Sequence, residues 1–203
     1  MDMHVPYIVS SAEHVPDLLD KLCFDRFHVS QLFSRAIDQT RRAEVRQLRK
    51  EGDDRLKGTR YLWLRAMTSL PRKLRQQLAS LLESAGAVGE VWTIKEAASK
   101  LWHYKSRTWA MKAWRALCQA ARSIDAPALQ RAIDTVLRHL PGIVNSVVHG
   151  VTNATSESIN SRVQALKKRA NGYRSRARFR DAIMFHLGGL DLYPRCFNPL
   201  KSQ

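Results

Sequence analysis

A run of cations and a few carboxylates hold the chemistry that this sequence could perform. From Ser161 to Arg180 there are eight Lys/Arg and no acid: Arg162, Lys167, Lys168, Arg169, Arg174, Arg176, Arg178 and Arg180. Tyr173 and Phe179 are interleaved among them. Each phosphate neutralised by such a segment releases condensed counterions, so the run predicts salt-sensitive nucleic-acid binding. Arg outnumbers Lys, which suits bidentate contact with phosphate. The other reading is a solvated, charged helix face. Glu157 stands just upstream, with Asn160 one turn on. Its carboxylate either complements a helix N-terminus or holds a divalent cation against a phosphate, which needs hard oxygen ligands. Asp25 and His28, in Asp25-Arg26-Phe27-His28, either orient one another at a site or form a surface pair or helix N-cap. Asp2 is a lone acid and says nothing by itself. No Ser-His-Asp or Cys-His motif is present, and no Gly-rich phosphate loop.

These residues need elements to position them. Asn153 is a plausible N-cap for a long helix in which Ile159, Val163, Leu166 and Ala170 form the apolar stripe. Glu157, Asn160, Ser161, Gln164, Lys167 and Lys168 take the opposite side, and Asn171-Gly172 supplies a left-handed end. Ahead of it, Asn145 to Thr152 reads as a loop or short extended piece. At the other end of the chain, the apolar run Leu22-Cys23-Phe24 within Met1 to Val29 predicts one short, largely buried strand. From Val29 the period becomes helical, with Val29, Leu32, Phe33, Ala36 and Ile37 on one face. Glu51-Gly52-Asp53-Asp54 breaks the pattern. Leu56 to Leu140 then predicts several helices, broken near Pro71, at Gly86–Gly89 and at Pro127. All five tryptophans lie in that middle segment, and Trp102 and Trp109 are seven apart, two helical turns. Helix packing rather than base stacking is the reading for most of them.

Composition bounds the partners. The chain has 203 residues, 34 Lys+Arg against 18 Asp+Glu, a formal charge of +16 and a hydrophobic fraction of 44%. That fraction excludes a wholly disordered chain, and the length suffices for a real core. No stretch approaches the roughly 20 apolar residues of a membrane span, and no signal peptide follows Met1. Three dispersed cysteines, Cys23, Cys118 and Cys196, argue against a disulfide framework or cysteine-rich zinc site and for a reducing interior. A pI near 10.4 points to a polyanion, nucleic acid before an acidic membrane surface.

Four stretches together resemble the DDE transposases of bacterial insertion sequences, in the ISL-three family. Met1-Asp2-Met3-His4-Val5-Pro6-Tyr7-Ile8 resembles the segment in which an Asp follows a core strand. Phe24-Asp25-Arg26-Phe27-His28-Val29 is similar to the DxFHV signature, and Leu56-Lys57-Gly58-Thr59-Arg60-Tyr61 to the LKGTRY stretch. Gly150 to Asn160 resembles the TNAxxExxN helix. The tail, Arg169 to Arg174 and Gly188 to Pro194, extends the similarity, which runs from Met1 to about Pro194 and is least specific in the helical middle.

The resemblance implies a fold that is mainly α with a partial α/β RNase H-like (retroviral-integrase-like) core. A helical insertion separates its last strand from the helix bearing the catalytic Glu. The corresponding layout is 1–50 for the partial core, 51–142 for the insertion, and 143–203 for the C-terminal core helix, basic segment and tail. The residue pass gives the same order: short strand, helix, helical bundle, basic helix. By carry-over, Asp2 and Glu157 are catalytic acids and metal ligands, with Asp25, His28 and Asn160 in support. Arg162, Lys167, Lys168, Arg169, Arg174, Arg176 and Arg178 are the expected DNA contacts. Two Mg²⁺ (or Mn²⁺) ions in the family site serve strand cleavage by water and then attack of the freed 3′-OH on target DNA. The family's first catalytic Asp lies upstream of the segment matching Met1, as does the region that reads the element's ends. The expectation is therefore a truncated, C-terminal piece of a cytoplasmic, nucleoid-associated enzyme. Alone it would be inactive, with weak or absent metal binding, and would depend on a missing N-terminal half or a homo-oligomer. The expected partners are element-end and target DNA. The alternatives are a non-catalytic DNA-binding remnant that regulates an intact relative, and a basic helical RNA-binding protein.

Overall fold

A computed structural model of the chain describes residues 3–151 and 154–189. The chain divides into two compact units, Met1–Thr152 and Asn153–Gln203. Both are helical. The first contains α1 (Val5–His14), α2 (Leu18–Lys21), α3 (Arg26–Lys50), α4 (Arg60–Leu64), α5 (Arg72–Ser84), α6 (Ala87–Lys100), α7 (Arg107–Ala121), α8 (Pro127–Arg138) and α9 (Leu140–His149). The second contains α10 (Ala154–Arg169) and α11 (Arg176–Leu187).

The first unit is built around α3, which packs against α6 and α8, while α7 packs against α9. The apolar period that begins at Val29 sets this arrangement: Val29, Phe33, Ala36 and Ile37 are buried on one face of α3. They meet Val88, Val91 and Trp92 of α6 and Leu129, Ile133 and Val136 of α8 in one continuous core. Local signals end the helices where the sequence predicts. α3 stops at Lys50, ahead of Gly52 with a left-handed φ of 76°. Pro71 precedes α5, and Pro127 occupies the first turn of α8, where its missing N–H costs nothing. The break expected at Gly86–Gly89 is narrower, since α6 already starts at Ala87.

Two expectations differ from the fold. Among the described residues there is no strand, so Leu22–Phe24 is irregular backbone without a ladder. Its polar groups are satisfied by α9 instead. Phe24 N–H donates to the Gly142 carbonyl at 3.2 Å, Asn145 Nδ2 donates to Leu22 O at 2.8 Å, and Ser146 Oγ to Phe24 O at 2.6 Å. Correspondingly, the loop expected from Asn145 is the second half of helix α9, which runs to His149. Asn145 and Ser146 are buried because their side chains act as the partner that a neighbouring strand would have supplied.

Candidate functional site

In the second unit, Glu157 lies in the first turn of α10, exposed, where its charge complements the helix dipole. Asn160 follows one turn on. Glu157, Asn160, Ser161, Gln164 and Lys168 line one open groove along the helix. Lys167, Lys168 and Arg169 occupy the last turn. The helix ends as its sequence predicts: Asn171 and Gly172 take left-handed φ values of 52° and 96°, and Gly172 N–H donates to Lys167 O at 3.0 Å. The expected apolar stripe is only partly covered. Val163 and Leu166 are half-buried, while Ile159 is 47% exposed and Ala170 is exposed. The proposed cap, Asn153, lies outside the described residues.

The turn into α11 is fixed by two contacts. Ser175 Oγ accepts from Arg178 N–H at 3.4 Å as an N-cap, and the rings of Tyr173 and Phe179 lie 4.9 Å apart. The aromatics interleaved with the arginines therefore pack on each other. Arg174, Arg176 and Arg178 cluster around the N-terminus of α11, where cations oppose the dipole by about 0.3–1 kcal/mol each. Helix stability does not explain their place; an anion there would. Arg162, Lys167, Lys168, Arg169, Arg174, Arg176 and Arg178 are all exposed, and among the described residues no ion pair engages them.

In the first unit, Asp25 is 7% exposed and caps α3, its Oδ1 accepting from Phe27 N–H at 3.0 Å. His28 is half-buried in the same turn, its ring 5.7 Å from that of Phe27. The cap accounts for the acid at this position by a local hydrogen bond. Asp2 lies outside the described residues.

The stretch Leu56–Tyr61 is a packing device. Leu56 is buried, Gly58 holds a left-handed φ of 74°, and Thr59 Oγ1 both donates to Leu56 O at 2.7 Å and accepts from Trp63 Nε1 at 3.0 Å. Arg60 joins Arg41 and Arg42 around the Asp38 carboxylate of α3, at 3.2, 3.0 and 2.7 Å. Burial works to raise that carboxyl, but the Arg41 hydrogen bond and the charges of Arg42 and Arg60 outweigh it and hold it below the ordinary range.

The tryptophans divide. Trp63, Trp92 and Trp114 are buried in the core, as the packing reading expects, and Trp102 meets Trp114 edge to face at 5.6 Å. Trp109 is 60% exposed. Its seven-residue spacing from Trp102 is not helical, because Trp102 lies in a 3₁₀ turn, Leu101–His103, before α7 begins. The two-turn spacing read from the sequence therefore does not place Trp109 in the core.

Comparisons with known proteins bear on these positions. Residues 1–183 match the family model of the ISL-three (ISL3) DDE transposases, described as "Transposase". The chain is 29% identical over 182 residues to the transposase for insertion sequence element IS1001 of Bordetella parapertussis, covering 88% of this chain and 44% of that protein. The chain thus spans less than half the length of this curated relative. No solved structure matches the chain.

Proposed function

Because the chain belongs to the ISL-three family of DDE transposases, we propose that it forms the C-terminal part of a metal-dependent domain that cleaves DNA at an element's ends and joins them to target DNA. The observation that carries this reading is the family match itself, which spans Glu157 and every cation from Arg162 to Arg178. In it, Asp2 and Glu157 are the catalytic acids and metal ligands, with Asp25, His28 and Asn160 in support. Arg162, Lys167, Lys168, Arg169, Arg174, Arg176 and Arg178 hold DNA phosphates. The donor chemistry fits a hard divalent cation: Glu157, Asn160 and Ser161 present oxygens in one groove. Two Mg²⁺ or Mn²⁺ ions supply charge neutralisation of the phosphate and activation of the attacking oxygen when bound. The same reading assigns 1–50 to a partial RNase H-like core, 51–142 to a helical insertion, and 143–203 to the C-terminal core helix, basic segment and tail. It also makes activity conditional on a further carboxylate from beyond these 203 residues.

Joined to the upstream segment of a family member, the chain should nick a labelled element-end duplex in Mg²⁺ and not in EDTA. Glu157→Gln should lower that cleavage by more than about 100-fold, since even a partner that only orients a metal ligand is worth about 10–100-fold. DNA binding should be spared. Unchanged cleavage would remove Glu157 from the site. A non-catalytic, DNA-binding role is favoured by one observation, the exposed cations that need no metal to meet phosphate. It predicts binding that persists in EDTA and no cleavage from the joined protein.

A further inference from the structure

From Ala97 to Ile124 the chain carries six Lys/Arg and no acid. Two of the six have structural work: Arg107 donates to Asn145 Oδ1 at 2.6 Å, and Arg122 pairs with Asp134. Helix α7 turns Ala110, Trp114, Cys118 and Ala121 inward, which leaves Trp109, Lys112 and Arg115 on its outer side. Lys105, in the turn before it, is exposed as well. Among the described residues no acid pairs with Lys105, Lys112 or Arg115. The Lys112 ammonium lies 5.3 Å from the centre of the Trp109 ring, so the largest apolar side chain on this face sits within its positive charge.

We propose that this face of α7 binds a single strand of DNA, with the Trp109 indole stacked on an unpaired base and Lys105, Lys112 and Arg115 against the flanking phosphates. The proposal rests on the DNA reading above and adds to it a second, strand-selective surface in the first unit. A flat π-face within a cluster of unpaired cations matches a polyanion whose bases are open. A duplex keeps its base faces inside the stack, and offers such a ring no partner. A second copy of the chain would bring like charges face to face, with only one indole from each copy to offset them.

The test uses the full chain in EDTA, with a fluorescein-labelled oligo-dT strand and a duplex of equal length at matched salt, read by anisotropy. Trp109→Ala should weaken dT binding at least about fivefold, the lower end of what one stacked base is worth, and leave duplex binding nearly unchanged. Trp109→Phe should keep most of the dT affinity, and its circular dichroism provides the folding control. Arg174, Arg176 and Arg178 changed together to Gln should weaken both ligands. Four outcomes would overturn the proposal: no dT binding by the unaltered chain, dT binding unmoved by Trp109→Ala, an equal loss for duplex, or Trp109-dependent binding of phosphatidylserine vesicles or of a second copy in place of the strand. Loss of cleavage in the joined protein would overturn the catalytic reading and leave this one standing.

Discussion

His139, between α8 and α9, sets a pH limit on the first unit. Its ring packs edge-on against Phe24 at 4.9 Å, and burial, helped by the Arg138 charge, holds the imidazole below its ordinary value of 6.5. The folded protein therefore prefers the neutral ring, whereas the unfolded chain takes up a proton near pH 6.5. Stability from this group is complete above that pH and falls as pH drops below it, until the folded ring is also protonated. Thermal midpoints measured from pH 8 down to about 5 should decline for the unaltered chain, and His139→Gln should flatten that decline. An identical slope in both would mean that the ring titrates alike folded and unfolded. Other buried groups act differently. Burial raises the Glu44 carboxyl, against hydrogen bonds from Val88 and Ala87 N–H, while Asp38 is held low by its arginines. Acid thus discharges Glu44 before it breaks the Asp38 cluster. The Cys118 thiol, pushed up to about 11 by burial against the pull of Arg122, is inert packing at neutral pH.

At the scale of elements, the junction of α9 with the irregular segment Leu22–Phe24 is the feature that the sequence concealed. A Cβ built on Gly142 would stand 2.6 Å from the Phe24 ring, so the helix approaches the segment only because that residue is glycine. Gly142→Ala should destabilise the unit by about 1–3 kcal/mol, the usual cost of overpacking, read as a lower urea midpoint at unchanged slope. A midpoint equal to that of the unaltered chain would show that Phe24 moves aside freely. Apolar residues bounded by charge predicted a buried strand here; Leu22 and Phe24 are buried, but a strand is defined by its partner and no strand is formed. Here the partner is the Asn145 and Ser146 pair of a helix, 123 and 122 residues away in sequence. Nothing local distinguishes that pair from the polar residues of a loop. The end of α10 was readable because its cause is local: Asn171-Gly172 tolerates left-handed backbone wherever it occurs. The candidate site divides the same way. Glu157 and the cations from Arg162 to Arg169 are visible as spacing on one helix and the later arginines as composition, whereas the exposure of Trp109 follows from where α7 starts, which the spacing of the tryptophans does not reveal.

At the scale of the whole molecule, charge is distributed unequally, and the inequality has a measurable consequence. The last 51 residues hold 10 Lys/Arg against 3 Asp/Glu, while the first 152 hold 24 against 15. Acids in the first unit are drawn into pairs with its cations, as at Asp38, Asp53 and Asp134, so much of its positive charge is locally compensated. Among its described residues the second unit has little such compensation: Arg180 pairs with Asp181, and the seven candidate contacts remain exposed. Duplex affinity should consequently depend on the second unit, and log K should fall linearly with log salt. Each phosphate neutralised contributes a slope of about 0.9 on a duplex, so replacing Arg174, Arg176 and Arg178 with Gln should reduce the slope by about 2–3. A comparable replacement of Arg41, Arg42 and Arg60, which are held in place around the Asp38 carboxylate, should lower thermal stability and leave the slope nearly as it was. The opposite pattern, with slope lost at α3 and retained at α11, would move the duplex-binding face to the first unit and leave the exposed arginines of α11 without a phosphate partner.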